Sequence, residues 1–161
     1  MQTILILVDG SKPCDAAVMR AIREARLGQV ERIHLVNVQQ HLSAYVGRFV
    51  GTPTIRAFQR EQGERALAHA KYLLDDAGVP YSAHIYVGDV AETIAKAADE
   101  LGVTEIVMTA DGFGLPGGLA TNSLIGKVIR RTNVPVSVVK AAAGEADFKQ
   151  NTDQWQLRPT H

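Results

Sequence analysis

Short apolar segments alternate with amphipathic helical segments along this chain, and this alternation restricts its fold more than any other feature. The segment 3–8 is apolar at every position after its first, as in a strand buried on both faces of a sheet. Further strands are predicted at 32–38, 81–87, 105–108 and 134–139. Strands that alternate with helices favour the α/β class, here an open five-stranded parallel sheet with helices on both faces.

Local signals predict where the helices begin and end. Ser11 and Asp89 are predicted N-caps, and Gly28 and Gly102 are predicted stops. A long helix is predicted at 52–77 and a last one at about 122–132, whereas 39–51 is predicted as an irregular connection. The long helix is predicted to bury one stripe of side chains: Ile55, Phe58, Ala66, Ala70, Leu73, Leu74 and Ala77.

The last predicted strand and the residues after it suggest a contact between copies of the chain. Pro135 cannot donate a ladder hydrogen bond, so strand 134–139 is expected at an edge of the sheet. An apolar edge needs a cover, and a second copy of the chain is one cover. We expect one domain at 1–140 and a tail at 141–161. Trp155 leaves two interpretations of this tail open, a loose end and a strap that packs on a neighbouring surface.

Composition excludes several classes of function. Lys and Arg together number 17, as do Asp and Glu, so no basic excess indicates a nucleic-acid partner. No apolar run has the length of a membrane span and no signal-peptide pattern is seen, so a cytoplasmic protein without membrane contact is expected. Cys14, the single cysteine, is predicted to be an unreactive core residue. The five histidines lack metal-ligand spacing, so no metal site is predicted from them.

A glycine-rich segment, 112–118, lies between the fourth strand and the last helix. Ligands of open α/β sheets bind beyond the carboxyl ends of the strands, so this loop is a candidate anion site. Gly112, Gly114 and Gly117 spell G-x-G-x-x-G, but they belong to the last βα unit and no acidic residue follows at ribose-binding distance. A Walker P-loop is rejected because the loop contains no lysine.

The chain resembles the universal stress protein family. The resemblance rests on four segments that together cover about 3–140: ILVDGS at the end of the first strand, GDVAETI at 88–94, EIVM at 105–108 and NVPVSVV at 133–139. It implies an adenine-nucleotide alpha-hydrolase-like, Rossmann-like fold and a homodimer paired through the fifth strand. The nucleotide-binding branch of the family carries G-x2-G-x9-G-[ST] after the fourth strand.

The same resemblance implies a set of site residues. Thr109 stands at the first glycine position of the loop pattern, Gly112 at the second, Asn122 at the third and Ser123 at the hydroxyl position. The remaining implied contacts are Asp9 beside the adenine and ribose of ATP, with Val38 and Met108 beside the base.

Departures from the loop pattern leave three functional hypotheses open. The first is a regulatory module that binds ATP or another adenine nucleotide, with Mg²⁺ or Mn²⁺ if ATP is bound, and is at most a slow ATPase. The second is a nucleotide-free stress protein acting through protein–protein or chaperone-like contacts, which Thr109, Asn122 and the carboxylate of Asp111 favour. The third is an enzyme of the wider adenine-binding group, of the ligase or electron-transfer type.

Overall fold

The computed structural model describes residues 1–110 and 123–141. The strands are β1 (Gln2–Leu7), β2 (Val30–Gln39), β3 (Ser82–Val87), β4 (Glu105–Ala110) and β5 (Val136–Lys140). The helices are α1 (Asp15–Arg26), α2 (Ala44–Phe49), α3 (Thr52–Asp76), α4 (Val90–Glu100) and α5 (Leu124–Arg131), and a 3-10 turn at Lys12–Cys14 precedes α1.

The five strands form one sheet in the order β3-β2-β1-β4-β5, and all four neighbouring pairs are parallel. The predicted α/β fold is therefore confirmed. β5 lies at an edge, as Pro135 predicted, although the strand begins one residue after this proline. The strand order turns around between β1 and β4, which places the ligand position of such sheets beside their carboxyl ends.

β1 explains why its segment is apolar throughout. Ile4 and Ile6 enter a core between the sheet and the helices α1 and α3, while Leu5 enters a second core with α4 and α5. All three side chains are fully buried. Both faces of the central strand are thus covered, as its uninterrupted hydrophobicity predicted.

The buried stripe of α3 differs from the prediction in its first half. Phe58 was predicted to be buried, but its side chain is 49% exposed, and Gln59, Gly63 and Leu67 face the sheet instead. A Cβ built on Gly63 would lie 2.7 Å from Cγ2 of Ile85 on β3. The helix therefore approaches the sheet along its glycine, and a hydrophobicity pattern cannot reveal such a face because glycine contributes no side chain to it.

One local prediction was confirmed only in part, and another was wrong. Ser11 lies at the N-cap position with Pro13 in the first turn, but it begins the 3-10 turn rather than α1, and its side chain makes no capping hydrogen bond. The segment 39–51, predicted to be irregular, contains α2, whose N-cap Ser43 accepts a hydrogen bond from the Val46 N–H. Six residues are too few to show helical periodicity. The caps at Asp89 and the stops at Gly28 and Gly102 are confirmed.

None of the helices in the described residues combines the length and the apolarity needed to cross a membrane.

Candidate functional site

The carboxyl ends of β2, β1 and β4 lie side by side at one rim of the sheet. Leu7 pairs with Val36, and Ile6 pairs with Val107. Continuing these registers by two or three residues brings Asp9 level with Val38 on one side and Ala110 on the other. Four predicted site residues, Asp9, Val38, Met108 and Thr109, therefore come from neighbouring strand ends.

Asp9 lies in a tight turn that fixes its carboxylate. Oδ1 accepts hydrogen bonds from the Ser11 N–H at 2.8 Å and from Cys14 Sγ at 3.0 Å. Burial acts to raise the pKa of Asp9, but the hydrogen bonds from Cys14 and Ser11 outweigh it and lower this pKa below its ordinary value. The group is thus a carboxylate at neutral pH. Both bonds use Oδ1, and the residue as a whole is exposed.

Gly10 makes this turn possible. Its φ is +83°, a conformation that L side chains rarely adopt, and a Cβ there would lie 3.0 Å from the Cα of Ala66 on α3. The backbone after β1 therefore packs directly on α3, and this contact sets where Asp9 points.

Cys14 stabilises the Asp9 carboxylate through its hydrogen bond to Oδ1. Its thiol is buried, and burial, with the negative charge of Asp9 nearby, raises its pKa to about 11. The thiol therefore stays protonated at neutral pH and can donate to Asp9. The predicted inward position of Cys14 is confirmed, and its proximity to the candidate site is new.

Asn37 is a residue of this rim that sequence reasoning missed. Its side chain is buried, and Nδ2 donates to the carbonyl oxygen of Val8 at 2.8 Å, while Oδ1 accepts from Gln39 Nε2 at 2.8 Å. These bonds tie the end of β1 to β2 just before Asp9. The available signal was a single amide within the apolar run LVNV, because a buried amide needs partners.

Thr109, near the carboxyl end of β4, and Ser123, at the start of α5, each carry a hydroxyl group. Thr109 Oγ1 is buried, and no hydrogen-bond partner for it is found in the part of the chain that the structure describes. Ser123 Oγ accepts from the Gly126 N–H at 3.1 Å and so caps α5. Its hydroxyl proton remains available to an acceptor, because capping uses only a lone pair of the oxygen.

The two predicted base-contacting residues differ in accessibility. Val38 is partly buried at the rim, whereas the Met108 side chain is 2% exposed and packs in the core beside α4 and α5. Met108 can therefore form a floor beneath a ligand but offers little side-chain surface. Gly112 and Asn122, like Asp111, lie outside the described residues, as does Trp155.

A cleft of about 370 Å³ adjoins the Asp9 turn and is lined in part by Val8, Gly10, Ser11 and His69. Another, of about 310 Å³, lies between α3 and β3, and none of its lining residues comes from the carboxyl ends of β1, β2 or β4. We place the candidate site at the strand ends, because the reversal of strand order and the unpaired Thr109 hydroxyl coincide there. Within 1–110 and 123–141, no group of three or more His, Cys, Asp or Glu could hold a metal ion.

Comparison with known proteins gives one matching family model. The model described as "Universal stress protein family" matches residues 1–140. No curated protein matches the chain.

Solved structures share the fold. The structure of the hypothetical protein MJ0577 is 25% identical, covers 89% of this chain and 99% of its own, and has a TM-score of 0.70. A universal stress protein family member from Burkholderia pseudomallei is 26% identical, with coverages of 88% and 96% and a TM-score of 0.64. The universal stress protein from Archaeoglobus fulgidus in complex with dAMP is 23% identical, with coverages of 87% and 98% and a TM-score of 0.61.

Proposed function

The chain belongs to the universal stress protein family, and we propose that it is a regulatory module that binds an adenine nucleotide. The proposed ligand is ATP, and the proposed site lies at the carboxyl ends of β1 and β4. The relative from Archaeoglobus fulgidus was solved with dAMP, which is one adenine nucleotide. The observation that carries the proposal is the buried Thr109 hydroxyl, which lacks a partner among the described residues. A buried donor left unpaired costs about 1–3 kcal/mol, and a ligand acceptor would recover this cost.

The rim residues suit different parts of a nucleotide. The Asp9 carboxylate is an acceptor for ribose hydroxyls, because its charge is held at neutral pH. The start of α5 offers backbone N–H groups and the Ser123 hydroxyl to a phosphate. Val38 supplies apolar surface beside the base, above the floor that Met108 provides.

The charges around α5 permit an anion at its N-terminus. The first turn of this helix contains no acidic residue, and its last turn contains the basic residues Arg130 and Arg131. The helix dipole thus favours negative charge at Ser123 without a competing carboxylate from α5. Gly112 and Asn122 would complete the phosphate loop, and Mg²⁺ or Mn²⁺ would bind mainly through the phosphates.

We expect regulation rather than rapid turnover. ATP hydrolysis, if any, should be slower than about one per second, the lower range of kinase rates. A second candidate function is a nucleotide-free protein that acts through protein contacts. It is favoured by Thr109, whose side chain occupies a position where the loop pattern has glycine.

The first experiment is to denature freshly purified protein and identify any released small molecule by mass spectrometry. Binding of added ATP, with Mg²⁺ or Mn²⁺, is then measured by calorimetry. ATP or ADP near one per chain supports the first candidate. An empty protein that also fails to bind added ATP contradicts it and supports the second.

Variants test the proposed site itself. Thr109→Val should weaken ATP binding about threefold to tenfold, the value of one neutral hydrogen bond, and should leave stability unchanged or higher because it removes an unpaired buried hydroxyl. Ser82→Ala is a matched control, since Ser82 is exposed at the start of β3, away from the site. Equal ATP affinity in both variants would exclude Thr109 from the site.

We also propose a homodimer through β5. This strand is an edge of the sheet that the described residues form, and Val138 on it is 42% exposed, so the edge presents apolar surface and a strand backbone to a partner.

A further inference from the structure

Two histidines that are not among the residues of the candidate nucleotide site meet on one face of the sheet. His34 on β2 and His84 on β3 face the same side as Val36, which packs towards α4. His34 Nδ1 lies 3.0 Å from His84 Nε2, and the ring centroids are 5.2 Å apart. The residues are 50 positions apart in sequence, so spacing rules could not reveal the pair.

The pair is held in place yet reachable. Parallel pairing of β2 with β3 places His84 beside Val36. Val36 is two residues after His34 and lies on the same face of the sheet. The His84 ring also stacks on Tyr86, with centroids 6.1 Å apart and planes inclined by 22°. Both imidazoles are partly exposed, and β3 is an edge strand, so an ion from solvent has access to them.

The environment of both rings favours the neutral imidazole at neutral pH. Burial lowers the pKa of His34, with further lowering by His84 and by the positive charge of Arg32, and burial likewise lowers the pKa of His84. A neutral imidazole carries a lone pair on one ring nitrogen, which is the form that binds metals. At neutral pH the two rings therefore offer lone pairs without first losing a proton to solvent.

We propose that His34 Nδ1 and His84 Nε2 together bind a divalent transition metal ion of the imidazole-preferring kind, with water in the remaining coordination positions. Zn–N bonds are about 2.0–2.1 Å long, so two nitrogens on one ion lie about 2.9 Å apart at a right angle and about 3.4 Å apart at the tetrahedral angle. The observed 3.0 Å lies within this range. The distance between the two nitrogens therefore needs to change by at most a few tenths of an ångström. Each ring must also turn, so that its lone pair points at the ion rather than at the other nitrogen.

The proton balance of this step closes within the pair. In the free protein one ring donates its N–H to the lone pair of the other across the 3.0 Å contact. In the complex both facing nitrogens bind the ion, so the donating ring carries its proton on its other nitrogen. No proton is released, and the two new metal–nitrogen bonds replace one hydrogen bond.

The test is Zn²⁺ titration of untagged, nucleotide-free protein by calorimetry. We expect one ion per chain, bound at least about tenfold more weakly by His34→Gln and by His84→Gln, since even outer-shell changes cost about 10–100-fold in metal affinity. His41→Gln is the matched control, because His41 is exposed beyond the end of β2. Equal binding by wild type, His34→Gln and His84→Gln, or no binding by wild type at millimolar Zn²⁺, overturns the proposal.

Two further measurements separate ligation from a structural role of the pair. Arg32→Gln should bind Zn²⁺ more tightly, because the Arg32 charge acts on His34 and repels a cation there. In the wild-type protein, Zn²⁺ should shift the nitrogen-15 resonances of His34 Nδ1 and His84 Nε2 while those of His41 stay in place. Unchanged or weaker binding by Arg32→Gln, or shifts at His41 alone, would contradict ligation by the pair.

Discussion

Substitution of Gly10 tests quantitatively how the turn after β1 positions Asp9. In Gly10→Ala the residue must keep a φ of +83° with a Cβ, and this Cβ would lie 3.0 Å from the Cα of Ala66. The left-handed conformation costs about 1–2 kcal/mol, and overpacking against backbone costs about 1–3 kcal/mol. We therefore expect the free energy of unfolding to fall by about 2–5 kcal/mol.

Gly28→Ala is the matched control for the steric part of this cost. Gly28 has a φ of +72°, but no atom lies within 4 Å of its ideal Cβ position. Only the conformational cost of about 1–2 kcal/mol should remain. Urea denaturation followed by far-UV circular dichroism measures both variants. Equal losses of stability would refute the claim that packing of Gly10 on α3 constrains the turn.

Binding provides a second measurement on the same pair of variants. If the turn sets the direction of the Asp9 carboxylate, Gly10→Ala should also lose affinity for ATP, whereas Gly28→Ala should keep it. Wild-type affinity in a folded Gly10→Ala protein would show that Asp9 tolerates displacement or has no contact with the nucleotide.

Two further predictions concern Cys14 and β5. Because the pKa of Cys14 is raised from 9.0 to about 11 in the fold, its protonated thiol contributes stability that is complete below pH 9 and is lost as the pH rises towards 11. Between pH 9 and 11, the free energy of unfolding of the wild type should therefore fall relative to that of Cys14→Ala. A difference that stays constant over this interval would contradict the burial of the thiol. Val138→Lys should convert the proposed dimer to a monomer in light scattering, whereas Val87→Lys, at an equally exposed position on the opposite edge strand, should not. A dimer that survives Val138→Lys would place the interface elsewhere.

The candidate site was only partly predictable from the sequence. Asp9 and Ser123 follow from local signals, since each stands where a strand ends or a helix begins. The support of Asp9 by Cys14 is less visible, because it depends on a 3-10 turn in place of a regular first helical turn. Gly112 and Asn122 rest on the loop pattern alone and stay predictions, as does the role of Trp155.

Short-range patterns determined the secondary structure and the fold class. The apolar run of β1 required a sheet covered on both faces, and Asp89 and Gly102 marked the ends of α4. Such signals can be read from the sequence alone, because they depend on side-chain periodicity and on backbone groups only a few residues apart.

The tertiary structure alone decided which distant groups meet. It turned Gly63 rather than Phe58 towards the sheet, placed Met108 in the core, and brought His34 to within 3.0 Å of His84. These outcomes depend on the register between strands and on the closeness of helix and sheet. Both are set by packing of the whole domain, so a residue's own neighbours in sequence carry no record of them.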